Sequence, residues 1–259
     1  MNKMNEPKTK KSYSMLYPTG RTEADNAYEA GMESYFEAGL GTNMDKLRSF
    51  AKFVPRQMLG TFLGKCELFN LALGVHGHII ECGVYLGAGL MTWANLSAIH
   101  EPFNHIRRIV GFDSFAGNPS LSPQDGGKGA MHVVGGFAVN SVDDLNECIR
   151  LYDLNRPIGH IPRVELVEGD ATRTIPAYLE DNKHVVVAML YLDFGVYEPT
   201  RIALEHFLPL MPQGAVLAFD ELSQAACPGE TQAALNTVGL RNLRIRRFPY
   251  ATALSYAVL

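Results

Sequence analysis

Beyond Gly74 the chain alternates short apolar runs with stretches of helical spacing, and this alternation constrains the fold more than any other feature. Strands that alternate with helices form βαβ units, whose parallel strands are buried on both faces and therefore read as continuous apolar runs. The five predicted parallel strands are His78–Val84, Arg108–Phe115, Val164–Gly169, Val185–Asp193 and Ala215–Asp220. The predicted helices are Leu90–His100, Asp143–Tyr152, Ile175–Asn182 and Glu198–Met211.

The last two apolar runs follow a different rule. Leu243–Phe248 and Leu254–Leu259 are separated only by Pro249–Ala253, which is too short for a crossover between parallel strands. These two strands are therefore expected to form an antiparallel hairpin. The sequence predicts an α/β fold: a Rossmann-like seven-stranded sheet, with five parallel strands and a C-terminal antiparallel hairpin, flanked by helices.

The chain before this sheet divides into two parts. Residues 1–24 are polar and rich in lysine, which is typical of a mobile tail. Residues 25–75 are expected to form an N-terminal helical extension, since apolar residues recur at helical spacing from Met44 to Leu73 and Pro55 divides them into two helices. Its apolar face predicts either a cap over an active site or an interface in a homodimer or higher homo-oligomer. The main domain is expected at residues 76–259.

Charge, hydropathy and cysteine spacing exclude several classes of protein. The formal net charge is −4, so the chain lacks a basic field that would hold nucleic acid. The longest apolar run, Val185–Leu192, is too short to span a bilayer, and residues 1–14 do not resemble a signal peptide. The four cysteines form no CxxC pair, which argues against a disulfide scaffold or a cysteine-type zinc site. We expect a cytoplasmic protein without nucleic-acid or membrane partners.

A glycine-rich turn follows the first predicted strand and opens a helix. It reads Glu81-Cys82-Gly83-Val84-Tyr85-Leu86-Gly87-Ala88-Gly89. Glycines at such a turn let the backbone approach a bound ligand beside the helix N-terminus. The spacing differs from the dinucleotide fingerprint G-x-G-x-x-G, and the turn lacks the Lys-Ser/Thr of a P-loop.

Acidic residues follow the next two predicted strands. Asp113 ends the second strand at the distance from the glycine turn where an acid can accept hydrogen bonds from ribose hydroxyls. Gly169 and Asp170 end the third strand, placed to contact an adenine. The alternative is that each acid only caps the following helix, and Asp170 fits that alternative best. Together these strand ends predict a nucleoside-bearing cofactor.

Three further carboxylates end the fourth and fifth predicted strands. Asp193, Asp220 and Glu221 should converge above one edge of the sheet, where they repel each other unless protons or a cation intervene. Oxygen ligands suit a hard ion, with Mg²⁺ preferred over zinc. The alternative is that these acids cap helices or pair with Arg201 or Arg241.

These motifs resemble those of class I S-adenosylmethionine (SAM)-dependent methyltransferases, most closely the macrocin O-methyltransferase (TylF-like) family. The glycine turn is similar to that family's Glu-Thr-Gly-Val-Trp-Arg-Gly, and Asp113–Pro119 to its Asp-Ser-Phe-x-Gly-x-Pro. Leu192–Thr200 resembles Leu-Asp-Gly-Asp-x-Tyr-Glu-Ser-Thr, and Pro212–Glu221 resembles Pro-Gly-Gly leading into Asp-Asp. The chain departs from the family pattern at three positions: it has Leu86 where the family has Arg, and Gly195 and Glu221 where the family has Asp.

The resemblance implies a SAM-dependent O-methyltransferase of natural product biosynthesis, which methylates a hydroxyl of a small molecule, either a sugar or another vicinal diol. It implies Mg²⁺ bound by Asp193, Asp220 and Glu221, and a general base that is Asp193 or His132. His132 lies in the segment Gly117–Asn140, which we interpret as a substrate lid. The implied SAM-binding residues are Glu81, Gly83, Tyr85, Gly87, Gly89, Asp113, Ser114, Gly169 and Asp170.

Two other functions remain open from the sequence. A nucleotide-dependent oxidoreductase could use the same sheet, although the chain has no Tyr-x-x-x-Lys and carries the carboxylate cluster. A non-catalytic SAM-binding protein that acts through protein contacts is favoured by the departures at Gly195 and Glu221.

Overall fold

The computed structural model describes residues 22–126 and 133–259, and within them one sheet of seven strands has the order β3-β2-β1-β4-β5-β7-β6. The first five strands are parallel, and β7 is antiparallel to both β5 and β6. This arrangement confirms the fold class expected from the sequence. The strands are β1 (His78–Cys82), β2 (Ile109–Asp113), β3 (Val164–Glu168), β4 (Val187–Leu192), β5 (Val216–Phe219), β6 (Arg246–Phe248) and β7 (Ala251–Val258).

The helices found in the described residues include two that the apolar pattern did not predict, α1 and α8. None of the helices in these ranges is both long and apolar enough to cross a membrane. The helices are α1 (Glu23–Ala38), α2 (Asn43–Arg48), α3 (Arg56–Ala72), α4 (Ala88–His100), α5 (Val142–Leu154), α6 (Ala171–Asp181), α7 (Tyr197–Phe207) and α8 (Pro228–Thr237).

The core forms two layers, one on each face of the sheet. Successive strand residues point to opposite faces, so Ile79 packs with α3, α4 and α5 while Ile80 packs with α6, α7 and α8. Every residue of β1 and β4 is buried, as expected for strands covered by helices on both sides. The central strands are therefore rigidly held, and their carboxyl ends offer fixed positions for functional side chains.

The chain divides into two units between Val54 and Pro55, whereas the sequence predicts a boundary at residues 75 and 76. The difference arises because α3 packs on α4 and β7, so that a Cβ at Gly60 would lie 2.6 Å from the Tyr250 carbonyl oxygen. Of the predicted tail, residues 1–21 lie outside the described residues, and residues 23 and 24 belong to the first turn of α1.

The smaller unit contains α1 and α2, each of which begins with a capping box. Thr22 and Thr42 accept hydrogen bonds from the backbone N–H groups of Asp25 and Asp45. The Phe53 ring stacks on an aromatic ring of α1, that of Tyr35, at 5.4 Å between centroids. This unit is therefore helical, and its first helix begins before the apolar pattern does.

The C-terminal hairpin is tighter than the sequence indicates. Phe248 pairs with Ala251, so only Pro249 and Tyr250 connect the two strands. Strand β7 begins three residues earlier than expected because Ala251 packs against α3, where it lies within 3.2 Å of a Cβ placed at Gly64. Tertiary packing, and not local hydrophobicity, sets this strand boundary.

Candidate active site

The carboxyl ends of four neighbouring strands meet at one edge of the sheet. Cys82 at the end of β1 is in register with Phe112 of β2 and Leu192 of β4, and Leu192 is in register with Phe219 of β5. The residues at these strand ends, or directly after them, are consequently brought side by side. They comprise the glycine turn, Asp113, Asp193 and Asp220.

The glycine turn has a backbone that only glycine adopts easily at two of its positions. Gly83 has φ +102° and Gly87 has φ +81°, while Tyr85 between them has φ +51°. A Cβ at Gly83 would lie 2.2 Å from the Asp193 carbonyl oxygen, and one at Gly87 would lie 2.1 Å from the Leu145 side chain. The two glycines thus allow the turn to pass directly against β4 and α5.

Glu81 and Gly89 lie behind this turn. The Glu81 carboxylate is buried, and its Oε1 is 3.5 Å from the Lys65 ammonium of α3. Burial raises the pKa of Glu81 to about 7, and the charge of Lys65 opposes this shift. A Cβ at Gly89 would lie 1.8 Å from the Glu81 Oε1, so the absence of a side chain there makes room for the carboxylate.

Asp113 lies beside the glycine turn and stabilises it through hydrogen bonds. Its Oδ2 accepts hydrogen bonds from the N–H groups of Val84 (2.7 Å) and Tyr85 (2.8 Å). Its Oδ1 accepts from the N–H of Phe115 at 2.7 Å. A carboxylate has about four acceptor sites, so Asp113 retains capacity for a ribose hydroxyl.

The other predicted cofactor residues support neighbouring turns. The Ser114 hydroxyl donates to the Gly117 carbonyl at 2.7 Å, and the Gly169 N–H donates to the Asp113 carbonyl at 2.9 Å. Asp170 accepts from the backbone and hydroxyl of Thr172, and it thereby caps α6. The capping alternative noted from the sequence therefore describes Asp170, whose contact with an adenine stays a prediction.

Tyr85 links the turn to the segment before α5. Its carbonyl accepts from the Ser141 hydroxyl at 2.6 Å, and its ring meets the Phe137 ring edge-on at 6.4 Å. Asp125 anchors the earlier part of the same segment, since its Oδ1 accepts from the N–H of Tyr197 at 2.6 Å, where α7 begins. His132 lies outside the described residues, so its assignment as the general base stays a prediction.

Asp193 and Asp220 form the acidic part of this sheet edge. Burial, followed by the nearby charge of Asp220, raises the pKa of Asp193 well above its usual value, and Lys65 opposes the shift. The Tyr191 hydroxyl donates to the Asp220 Oδ1 at 2.5 Å. A half-buried carboxylate with a raised pKa is suited to accept a proton from a substrate.

Glu221 has a different environment from the two aspartates. Its Oε1 accepts a hydrogen bond from the Cys227 thiol at 3.5 Å, and its backbone N–H donates to the Glu230 Oε1 at 2.9 Å. Burial and then the charge of Asp220 raise the pKa of Glu221 to about 7. Glu230, which is fully buried on α8, was not identified from the sequence.

The expected metal ligands are only partly brought together. In the two described ranges, no group of three histidine, cysteine, aspartate or glutamate side chains is arranged to hold a metal ion. The predicted set of Asp193, Asp220 and Glu221 stays a prediction: the Glu221 Oε1 contacts the Cys227 thiol, whereas its buried Oε2 has no hydrogen-bond partner within the described residues. Asp193 and Asp220 fit Mg²⁺, which binds through one or two carboxylates and completes its shell with other oxygens.

The sequence left open that Asp193, Asp220 and Glu221 pair with an arginine, and for Arg201 this alternative is wrong. This guanidinium pairs with Glu198 and Glu205, both at 2.5 Å, on the surface of α7.

Comparisons with known proteins agree with one another. The family model described as macrocin-O-methyltransferase (TylF) matches residues 46–238. The crystal structure of the calicheamicin methyltransferase CalS11 is 32% identical, with a TM-score of 0.88 over 92% of this chain and 93% of that chain. The apo structure of CalS11, called a TDP-rhamnose 3'-O-methyltransferase of calicheamicin biosynthesis, is 30% identical, with a TM-score of 0.79 over 92% and 95% of the chains.

A curated relative from Streptomyces olivaceus has lower identity. It is the 8-demethyl-8-(2,3-dimethoxy-alpha-L-rhamnosyl)-tetracenomycin-C 4'-O-methyltransferase, 26% identical over 168 residues. The match covers 62% of this chain, and the chain spans 59% of the length of that relative.

Proposed function

Because this chain belongs to the macrocin O-methyltransferase (TylF) family, we propose that it is a SAM-dependent O-methyltransferase acting on a sugar hydroxyl in natural product biosynthesis. One observation carries the proposal: the glycine turn with Asp113 and the acidic pair of Asp193 and Asp220 lie at the same sheet edge. A methyl donor bound at the glycine turn would be adjacent to a hydroxyl acceptor bound near Asp193 and Asp220, as methyl transfer requires.

SAM would be held by the turn from Gly83 to Gly87, with Asp113 toward its ribose. The support is the left-handed backbone of the turn and the remaining acceptor capacity of Asp113. SAM, when bound, supplies a methyl group on a positively charged sulfur. The chain's own part is to exclude water, align the acceptor and accept its proton.

Asp193 is the proposed general base. Without a bound metal ion, its raised pKa makes it a stronger base than an exposed aspartate, and it lies where the turn and the acidic pair meet. In this role Asp193 would accept the proton of the acceptor hydroxyl as that hydroxyl is methylated.

Sugar recognition is supported by what the relatives are called. CalS11 is named for TDP-rhamnose and the Streptomyces olivaceus protein for a rhamnosyl tetracenomycin. We propose a deoxysugar of the rhamnose type as acceptor, carried either on a nucleoside diphosphate or on a finished natural product.

The first experiment is a calorimetric titration with SAM, followed by turnover with TDP-rhamnose and with a rhamnosylated polyketide. We expect SAM to bind with a Kd in the micromolar range and one of the two acceptors to gain a single methyl group, detected by mass. A folded protein that fails to bind SAM would refute the proposal, and binding of NAD instead would favour the oxidoreductase alternative. SAM binding without turnover of any vicinal diol would favour the non-catalytic alternative.

Mg²⁺ assistance forms a separate part of the proposal, with Asp193 and Asp220 as the protein ligands. When bound, the ion lowers the pKa of the acceptor hydroxyl. We expect EDTA to lower kcat at least about tenfold while the Kd for SAM stays within about twofold, and Mg²⁺ to restore kcat. Unchanged turnover in EDTA after exhaustive dialysis would show that the two aspartates act without a metal.

The compartment and assembly state are also proposed. The four cysteines are unbridged, which supports the reducing environment of the cytoplasm. Large apolar side chains are exposed in the smaller unit, among them Leu40 and Leu47. Their exposure supports a homo-oligomer.

A further inference from the structure

A buried lysine of the larger unit lies against β1 and β4. Lys65 of α3 has a side chain only 10% exposed, and its ammonium contacts an acid and two aromatic rings. It is 3.5 Å from the Glu81 Oε1, 4.1 Å from the centroid of the Tyr191 ring and 5.3 Å from that of Trp93. A cation is rarely buried unless its surroundings compensate the charge, and these three groups do so.

One side of this lysine supports the cofactor turn. A Cβ at Gly89 would lie 1.8 Å from the Glu81 Oε1 and 2.5 Å from the Lys65 ammonium. The first turn of α4 therefore closes directly on the ion pair, and the N-terminus of that helix favours a negative charge at Glu81. The position of α4, and with it the end of the glycine turn, depends on this pair.

The other side of the lysine supports the acidic pair. Tyr191 is fully buried, and its ring face contacts the ammonium while its hydroxyl donates to the Asp220 Oδ1 at 2.5 Å. The Trp93 ring packs on the Tyr191 ring at 5.4 Å and limits its movement. Asp220 thus receives its hydrogen bond from a ring that contacts both Lys65 and Trp93.

We propose that Lys65 and Tyr191 are positioning residues, which couple the SAM-binding turn to the Asp193 and Asp220 pair. Lys65 holds Glu81 under the turn and holds the Tyr191 ring in place, and the Tyr191 hydroxyl fixes the orientation of Asp220. This inference rests on the proposed function, and it adds two residues that act through Glu81 and Asp220.

The two residues have separable effects because only one of them supports the turn. We expect Tyr191→Phe to lower kcat at least about tenfold while the Kd for SAM and the KM for the acceptor stay within about twofold. Lys65→Met, which keeps the length of the side chain but not its charge, should weaken SAM binding at least about tenfold and also lower kcat. The double variant should lose less kcat than the product of the single losses, since both changes release Asp220.

The matched control is Lys183→Met, which removes an exposed lysine paired with Glu180 and should change none of these quantities. Melting temperature is measured for every variant, so that a folded protein is established before kinetics. If Lys65→Met fails to fold, Tyr191→Phe still tests the inference, because it removes only one oxygen atom. The expected result is then a lower kcat with an unchanged KM for the acceptor.

A wild-type Kd for SAM in Lys65→Met, or a wild-type kcat in Tyr191→Phe, would overturn the inference. The inference would also be overturned if the control Lys183→Met lost as much kcat and melting temperature as the two variants. Failure of the unmodified protein to bind SAM would instead refute the proposed function, so the two failures are distinguishable.

Discussion

Asp193→Asn is expected to lower kcat by about 10³-fold while the Kd for SAM stays within about threefold. Asparagine has the shape of aspartate but cannot accept the acceptor's proton. Burial and the charge of Asp220 raise the pKa of Asp193, so the wild-type side chain is suited to this step. Its backbone contacts are unaffected by the substitution, since the N–H donates to the Cys82 carbonyl at 2.7 Å. The measurement is single-turnover methyl transfer together with calorimetry of SAM.

Asp181→Asn is the matched control, because Asp181 is an exposed acid at the end of α6. Its kcat should equal that of the unmodified protein. If Asp193→Asn kept its kcat within threefold, the base would have to be another group, and His132→Asn would then be the variant to measure.

Gly83→Ala is expected to weaken SAM binding by at least about 100-fold and to lower Tm by about 5 to 10 °C. The added Cβ would lie 2.2 Å from the Asp193 carbonyl oxygen and 2.7 Å from its carbonyl carbon. Both are backbone atoms next to paired strands, so they cannot move without separating β1 from β4. The φ of +102° adds strain for any residue with a side chain.

The control for this substitution is Gly74→Ala. No atom lies within 4 Å of a Cβ placed at Gly74, so its Tm and its Kd for SAM should be unchanged. Full SAM affinity in Gly83→Ala would mean that the turn does not hold the cofactor.

The predicted strands agree with the structure where a strand is buried on both faces. Such strands carry uninterrupted apolar runs, so β4 is found inside the predicted Val185–Asp193. Helix α8 was missed because its buried face carries no large apolar residue: it consists of Gly229, Glu230, Ala233 and Ala234, behind a proline at the first helical position. Helix α7 ends at Phe207, before Met211, because a short 3-10 turn at Leu208–Leu210 contains a proline.

The site was predictable as far as it depends on where strands end. Asp113, the last residue of β2, and Asp193, directly after β4, were identified because parallel strands present their carboxyl ends at one edge. Lys65 was not identified, although its spacing indicates burial. It precedes the buried Leu68 and Phe69 by three and four residues, so it lies on the same face of the helix. The role of Tyr191 depends on a hydrogen bond across neighbouring strands, which no local pattern encodes.

The position of β1 in the middle of the sheet also bears on how the chain matures during synthesis. Cys82 pairs with Leu192, about 110 residues later, so one edge of β1 stays unpaired until that part of the chain has been made. At the usual rate of translation this interval lasts roughly 5 to 20 s, during which an exposed strand edge invites aggregation. SAM can protect only chains that have already passed this stage, because the turn is completed against the strand that arrives late.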